Sequence, residues 1–311
     1  MIDETDIPAA PNAETPAIIP PATAMQRVWG NGSVRIGAAI LGILLIMAIG
    51  APWLGTVDPT AIDPSNINIA PGSRATITDF EGRTQEHYFL MGGDSYGRDT
   101  WSRIAYGARV SLLVGAAVAV FCAFWGSVIG LLSGYFRWLD GIIMRLMDSF
   151  MAIPNILFAI ALITVWRASV LTIIVAISIP EIPRIARLLR SIVLTLREEP
   201  YVEAAIALNT PTWKVLLKHI LPNAVAPLIV HITYVFGSAM LIEAILSFLG
   251  IGLSAEIPSW GIIMSEGRVN FSQHPEHVLF PGFFLALTVL SINILGDGLR
   301  DSLDPKLRGR V

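Results

Sequence analysis

Residues 197–227 read REEPYVEAAIALNTPTWKVLLKHILPNAVAP and carry more information about the architecture than the rest of the chain. Pro200 suits the first turn of a helix, where a missing N–H costs nothing, and the residues after it are good helix formers. Asn209 follows, and asparagine accepts the left-handed conformation that often ends a helix. A second helix is expected from Trp213 until Pro222 interrupts it. The stretch therefore predicts two short helices joined by a tight turn.

The chain on both sides of this stretch is strongly apolar. Of its 311 residues, 54 % are hydrophobic and 14 % are charged, whereas a soluble domain carries about 25 % charged residues. A transmembrane helix needs about 20 mostly apolar residues. Six stretches reach or approach that length: residues 34–54, 110–135, 142–166, 169–179, 224–250 and 279–295. The fold class predicted is therefore an all-α polytopic membrane protein with six transmembrane helices.

The distribution of basic residues predicts the orientation in the membrane. Residues 184–219 contain six arginines and lysines, and residues 300–310 contain four more, whereas residues 251–280 contain only Arg268. Basic loops stay in the cytoplasm. We therefore expect both termini and the 184–219 loop to be cytoplasmic, with residues 55–107 and 251–280 outside.

The 197–227 stretch resembles the signature of ABC importer permeases, in which E-A-A and a later glycine precede an L-P pair. The matching residues are Glu203, Ala204, Ala205, Leu221 and Pro222, while Asn209 replaces the glycine and His219 replaces an apolar residue. Three more segments, GGDSYGRDTWSRIAYGARVSLLVG (92–115), PSWGIIMSEGR (258–268) and NILGDGLRDSLDPKLRGR (293–310), are similar to one group of these permeases. The chain from residue 27 onward thus resembles the C-type subunit of the dipeptide/oligopeptide/nickel group.

This resemblance implies a type I ABC importer permease fold and a non-catalytic subunit in the bacterial inner membrane. The chain would form half of a translocation path for dipeptides or oligopeptides, as a heterodimer with a second, homologous permease. Two ABC ATPase subunits, which would bind the ATP and Mg²⁺, and an external substrate-binding protein would complete the importer. This chain would bind no cofactor and no metal, and a net charge of −3 argues against nucleic acid as a partner.

The resemblance also implies which residues couple the chain to the ATPase. The coupling loop, residues 197–222, would dock in a groove of the ATPase subunit, and its apolar side chains, Val202 and Ile206 among them, would fill that groove. The residues expected to carry coupling are Tyr201, Glu203, Ala204, Ala205, Leu208, Asn209, Leu221 and Pro222.

Four regions follow from the sequence and the resemblance together. Residues 1–26 are rich in proline and alanine and are expected to be a disordered cytoplasmic tail. Residues 27–108 would hold the first transmembrane helix, an external loop and an interfacial helix. Residues 109–298 would form the permease domain with the coupling loop inside it, and residues 299–311 a cytoplasmic tail.

Alternatives remain open at this point. Proteins of the same group carry nickel, glutathione, opines or oligosaccharides as well as peptides, and a secondary transporter that works without ATP is a candidate from another class. Direct nucleotide binding is not expected, because the glycines at 92 and 97 are followed by Arg98 and Asp99 instead of the Lys-Ser/Thr of a phosphate loop.

Charged residues near the apolar stretches are expected either to pair with other residues of the fold or to line the translocation path. Intramembrane carboxylates often mark a pathway, and Glu243 is the candidate for the translocation path, with structural pairing as its alternative. Asp148 is expected to pair with Arg145, three residues before it on a helix. Asp140 and Asp297 are expected at the cytoplasmic edge.

Two groups of polar residues lie in the predicted external segments. Arg98, Asp99, Arg103 and Arg109 are expected to hold an interfacial helix by alternating charges, or else to steer a binding protein or a substrate carboxylate. Residues 274–277 read HPEH, and two histidines separated by a proline seldom form a metal site alone. A solvated loop that helps to dock the binding protein is therefore expected there.

Overall fold

The computed structural model describes residues 24–78 and 82–303, and helices dominate that part of the chain. The helices are α1 (Ala24–Gly30), α2 (Gly32–Gly50), α3 (Thr100–Tyr135), α4 (Arg137–Met151), α5 (Asn155–Trp166), α6 (Val170–Leu196), α7 (Pro200–Ala207), α8 (Thr212–Lys214), α9 (Leu221–Phe248), α10 (Trp260–Gly267) and α11 (Glu276–Leu303). A π-helical turn, Val215–Ile220, joins α8 to α9. The strands β1 (Ser73–Thr78) and β2 (Thr84–Phe89) form an antiparallel hairpin.

Four helical segments of the described chain are long and apolar enough to cross a membrane: Gly32–Trp53, Thr100–Tyr135, Thr212–Phe248 and Glu276–Leu303. Helices α4 and α5 become a fifth candidate if they are counted as one span, although they are bent by 85° at the break beside Pro154. The predicted stretch 169–179 lies in α6, which continues through Pro180 and Pro183 into a charged segment. The count of six spans is therefore not confirmed and stays a prediction.

Helices α3 and α6 approach each other closely along a row of glycines. A Cβ atom at Gly126 would lie 2.6 Å from the Cβ of Ile185, and one at Gly130 would lie 2.7 Å from the carbonyl oxygen of Ala186. Small residues at helix interfaces allow this approach inside a membrane. The packing also explains why α6 tolerates two internal prolines, because tertiary contacts outweigh the lost backbone hydrogen bonds.

The expected interruption of the second short helix at Pro222 is wrong. Helical structure runs from Thr212 to Phe248, and Pro222 lies inside it. Proline cannot donate the backbone hydrogen bond that a regular helix needs. The π-helical turn before Pro222 has hydrogen bonds between residues five apart instead of four, as in the bond from the N–H of Leu221 to the carbonyl of Leu216. The helix thus continues past a residue that has no N–H to donate.

The segment between α2 and α3 differs from the prediction in two respects. It contains the β1–β2 hairpin, so the chain is not wholly helical, and Ile77 and Phe89 of the hairpin are buried with Ala61. The described residues of this segment contain two short 3₁₀ turns, Ala51–Trp53 and Pro64–Asn66, but no separate α-helix before α3. Asp99 caps α3, which continues unbroken from Thr100 to Tyr135.

The predicted tails fall mostly outside the described residues. Of the N-terminal region 1–26, residues 24–26 begin α1, and residues 1–23 lie outside the described part. Of the C-terminal region 299–311, residues 299–303 complete α11, and the remainder also lies outside it. In the described residues α1 thus begins at Ala24 and α11 ends at Leu303, and the division into four regions stays a prediction.

Candidate coupling site

Helix α7 begins and ends as its sequence predicts. Pro200 occupies its first position, and Asn209 beyond its end has a positive φ of 56°. The N–H of Asn209 donates to the carbonyl of Ile206 at 2.9 Å, and the N–H of Thr210 donates to that of Ala205 at 3.1 Å. These bonds satisfy carbonyl groups that the end of a helix would leave without partners. The tight turn after α7 is therefore confirmed.

One face of α7 is buried against its own subunit. Val202 is fully buried, and it belongs to one apolar cluster with Leu131 of α3, Val193 of α6, and Val215, Leu216 and Ile220 of the π turn. Ala205 lies one helical turn further on the same face and is also buried. The expectation that Val202 fills a partner's groove is therefore wrong.

The opposite face of α7 is exposed and largely apolar. Tyr201 is 42 % exposed, Ile206 44 % and Leu208 83 %. Glu203, Ala204, Ala207 and Asn209 are exposed beside them. We call these seven residues the α7 outer face. Of the eight residues expected to carry coupling, five lie on this face, whereas Ala205 is buried, Leu221 packs beside the apolar cluster and Pro222 is exposed on α9.

A side-chain hydrogen bond ties α7 to the start of α9. The Nδ2 of Asn223 donates to the phenolic oxygen of Tyr201 at 3.1 Å and to the carbonyl of His219 at 2.8 Å. Burial, together with the carboxylate of Glu199, raises the pKa of Tyr201, so its hydroxyl keeps its hydrogen. The phenol accepts from Asn223 and still has its own O–H to donate.

Ion pairs connect α4 to α6 near the end of the molecule that contains α7, which we call the α7 end. Asp140 accepts two hydrogen bonds from the guanidinium of Arg190. Asp148 pairs with Nη2 of Arg187 at 2.6 Å. The predicted pairing of Asp148 with Arg145 is therefore wrong, because the partner lies across the helix pair instead of on the same helix.

A groove of about 540 Å³ opens between α6, α9 and α11. Pro227, His231 and Tyr234 of α9 and Arg300 of α11 are among its lining residues. The groove is thus formed by the helix that continues from the coupling loop, together with two neighbouring helices.

Glu243 lies inside the subunit. It has no exposed surface, and its Oε1 accepts hydrogen bonds from Ser247 Oγ at 2.8 Å and Ser259 Oγ at 2.9 Å. The carboxylate connects α9 to the N-terminal cap of α10. In this conformation it faces the interior of the protein and not a path.

Two buried arginines, a buried aspartate and a largely buried glutamate lie together at the opposite end of the molecule, which we call the hairpin end (residues 51–78, 82–103 and 251–275). Asp94 Oδ2 lies 2.7 Å from Arg98 Nε and 2.6 Å from Arg103 Nη1. Glu266 Oε2 lies 2.7 Å from Arg98 Nη2 and 2.6 Å from Arg103 Nη1. Burial acts to raise the pKa of Asp94, but Arg103, Arg98 and backbone N–H groups outweigh it and hold that pKa below its usual value. We call these four residues the ion cluster.

The arginines around residue 100 have neither of the two roles expected for them, holding an interfacial helix or steering a ligand. Arg98 and Arg103 are buried and paired, so they do not steer a ligand from the surface. Asp99 accepts from the N–H of Ser102 at 2.8 Å as the cap of α3. Arg109 donates to the carbonyl of Ile49 at 3.0 Å and also to that of Ala48, at the end of α2.

The sequence comparisons point to one family. Residues 126–309 match the family of the binding-protein-dependent transport system inner membrane component, and residues 22–71 match the N-terminal TM domain of oligopeptide transport permease C. The chain is 39 % identical over 299 residues to the dipeptide transport system permease protein DppC of Alkalihalophilus pseudofirmus, covering 96 % of this chain and 94 % of that protein. It is 40 % identical over 229 residues to the glutathione transport system permease protein GsiD of Pectobacterium atrosepticum, covering 73 % and 75 %.

Among solved structures, the chain is similar to an inward-facing MetNI methionine ABC transporter. The TM-score is 0.49 at 20 % identity, and the match covers 62 % of this chain and 94 % of that chain.

The family-model match and the sequence relatives place the chain among the permease subunits of ABC importers: it belongs to the family of the binding-protein-dependent transport system inner membrane component. Within that family it is a C-type permease of the dipeptide/oligopeptide/nickel group, with a type I permease fold, as its sequence motifs predicted. It is a multi-pass inner-membrane protein that works with ATPase and substrate-binding partners. This membership decides against the ATP-independent secondary transporter.

Proposed function

We propose that this chain forms half of the translocation path of a peptide importer and transmits ATP-driven motion through the α7 outer face. The observation that carries the proposal is the exposure of Ile206 and Leu208 on a helix whose other face is firmly packed. A second, homologous permease would complete the path as a heterodimer. Two ATPase subunits would supply the catalysis and bind ATP and Mg²⁺, so this chain would be non-catalytic and need no cofactor.

The packing of α7 explains how motion would pass from the docked loop to the membrane. Val202 shares an apolar cluster with residues of α3, α6 and the π turn, and Tyr201 is hydrogen-bonded to Asn223 of α9. A partner that moves the α7 outer face would therefore move these helices with it. ATP binding shifts such an equilibrium only if the ATPase holds the coupling loop differently in the two states.

The groove along α9 is the proposed contribution of this chain to the path. Its lining combines apolar surface with the polar groups of His231, Tyr234 and Arg300. A peptide presents backbone donors and acceptors and a terminal carboxylate, for which these groups are suitable partners. Glu243 has no part in the proposed path, since it is fully buried and bonded to two serines.

A peptide substrate is supported by the relatives, whose names give dipeptide transport and glutathione transport. Glutathione is the leading alternative, and nickel, opines and oligosaccharides are the remaining ones. The proposed orientation has both termini and α7 in the cytoplasm, in keeping with the basic residues between 184 and 219.

The coupling role is tested with two variants of the α7 outer face, Glu203→Ala and Leu208→Asp. Each should abolish peptide uptake while membrane insertion stays normal, because an interface hot spot contributes ~2 kcal/mol or more to binding, about a thirtyfold change in affinity. The measurements are peptide uptake in cells and the amount of ATPase that co-purifies with the tagged permease.

Val269→Asp is the matched control for Leu208→Asp, since Val269 is 79 % exposed at the hairpin end. It should leave ATPase co-purification unchanged. Wild-type uptake and normal ATPase recovery in both α7 variants would remove the coupling role from this surface.

The substrate is tested by uptake in cells that lack this gene. A labelled dipeptide, labelled glutathione and labelled nickel are compared, with restoration by the wild-type gene in each case. Loss of dipeptide uptake supports the proposal. Loss of only glutathione or nickel uptake would reassign the substrate without altering the coupling role.

A further inference from the structure

Three potential metal ligands lie together at the start of α11. His274 Nδ1 is 3.0 Å from Glu276 Oε1, and the rings of His274 and His277 are stacked with their centroids 5.3 Å apart. One ligand atom from each residue lies within 4.8 Å of the other two. The sequence predicts a solvated loop here, but His277 is only 2 % exposed.

The bonding of His277 leaves one of its ring nitrogens without a partner. Its Nε2 lies 3.0 Å from the carbonyl oxygen of Gly93, which makes Nε2 the N–H donor. Nδ1 must then be the nitrogen with the free lone pair. This Nδ1 is buried and has no hydrogen-bond partner among the described residues. A buried acceptor without a partner is costly, and a bound cation would satisfy it.

We propose that His274, Glu276 and His277 bind a divalent transition-metal ion of the zinc type. Two imidazoles and a carboxylate are a ligand set that zinc accepts, at about 2.0–2.2 Å from the metal. Ligands at that distance around a tetrahedral ion are separated by roughly 3.3 Å. His274 and Glu276 are already 3.0 Å apart, so small movements would complete that edge of the site.

The surroundings of the three residues suit a metal site in two further ways. Metal-bound histidines usually donate their second N–H to a carbonyl or carboxylate, and the carbonyl of Gly93 has this role for His277. The side chains of His274 and Glu276 are each 26 % exposed, so an ion can reach the site from solvent. The bound ion would hold the start of α11 against the segment that precedes α3, beside Asp94 of the ion cluster.

The test is metal titration of the purified importer complex after removal of metals with a chelator. Zn²⁺ is titrated in competition with a fluorescent chelator, and Co²⁺ absorption reports the coordination geometry. His274→Ala and Glu276→Gln should each weaken Zn²⁺ binding by tenfold or more, because even the loss of a residue that only hydrogen-bonds to a metal ligand costs ~10–100-fold in affinity. They should also remove the Co²⁺ bands of a tetrahedral site with nitrogen and oxygen ligands.

Glu256→Gln is the matched control, because Glu256 is an exposed carboxylate in the preceding loop. It should retain the wild-type Zn²⁺ site. The two test positions are partly exposed, so neither variant depends on refilling the buried position of His277. Zn²⁺ affinities in both test variants equal to that of the wild type would overturn the proposal. Equal binding of Mg²⁺ or Ca²⁺, which prefer oxygen ligands, would overturn it as well.

Discussion

At the hairpin end, Arg98 and Arg103 are buried and paired with two carboxylates, whereas at the α7 end Leu208 is 83 % exposed. A soluble monomer would normally place these groups the other way round, with charges outside and leucine inside. At the hairpin end, the charged side chains are paired with one another inside the same chain. The α7 end exposes apolar side chains, which the proposed contact with an ATPase subunit would cover.

We therefore expect the hairpin end to determine the stability of the subunit and the α7 end to determine its coupling to a partner. Substitutions in the ion cluster should damage the fold of the permease itself, because their partners lie within the chain. Substitutions that remove or charge the apolar side chains of the α7 outer face should leave the fold intact and damage assembly. The three predictions below test that separation.

The largest effect is expected for Asp94→Asn. The substitution leaves two buried guanidinium groups facing the single carboxylate of Glu266, and breaking a buried ion pair in this way costs ~3–5 kcal/mol of stability. Thermal unfolding of the purified chain should shift to a clearly lower temperature. Glu86→Gln, an exposed carboxylate-to-amide change in β2, should leave the transition where it is.

A normal unfolding temperature for Asp94→Asn would mean that the ion cluster does not hold the hairpin end together. Loss of ATPase co-purification without any loss of stability would contradict the separation between the two ends.

A smaller effect is expected for Asn209→Val at the α7 end. The positive φ at position 209 is unfavourable for a branched side chain such as valine, at a cost of ~1–2 kcal/mol, whereas asparagine and glycine accept it. The turn after α7 should loosen, which limited proteolysis of the loop would detect, and peptide uptake should fall in part. Asn209→Gly is the matched control, since glycine adopts this conformation freely. Equal proteolysis of the two variants would show that the left-handed turn is not what holds α7 in place.

The predictable features of this protein are those that depend on local sequence. Pro200 at the start of α7, the positive φ of Asn209 and the apolar stretches follow from backbone geometry and composition alone. The hairpin also had a local signal, because the alternation in SRATIT (73–78) is typical of a strand with one buried face. Residues 58–88 contain no long apolar run, so the criterion of a transmembrane helix does not find the hairpin.

Other features depend on contacts between distant segments and could not be read from one sequence. The side of α7 that faces the subunit is decided by α3 and α6, so the sequence alone predicts the wrong face for Val202. Asp148 pairs with a residue 39 positions away instead of with its helical neighbour. The burial of His277 requires the carbonyl of Gly93, which is 184 positions away.

The smallest effect is expected for Tyr201→Phe, which removes only the hydroxyl that links α7 to α9. Tyr201 is partly exposed and Asn223 keeps its bond to the carbonyl of His219, so the loss should be near the lower end of the range for one hydrogen bond, ~0.5 kcal/mol. The phenyl ring stays on the α7 outer face, and ATPase co-purification should therefore remain normal, whereas Tyr201→Ala should reduce it. Asn223→Ala combined with Tyr201→Phe should have less effect than the sum of the single changes, because residues that share a bond are not additive. Additive effects on the transport rate per ATP hydrolysed would show that this bond does not connect the docked helix to the membrane.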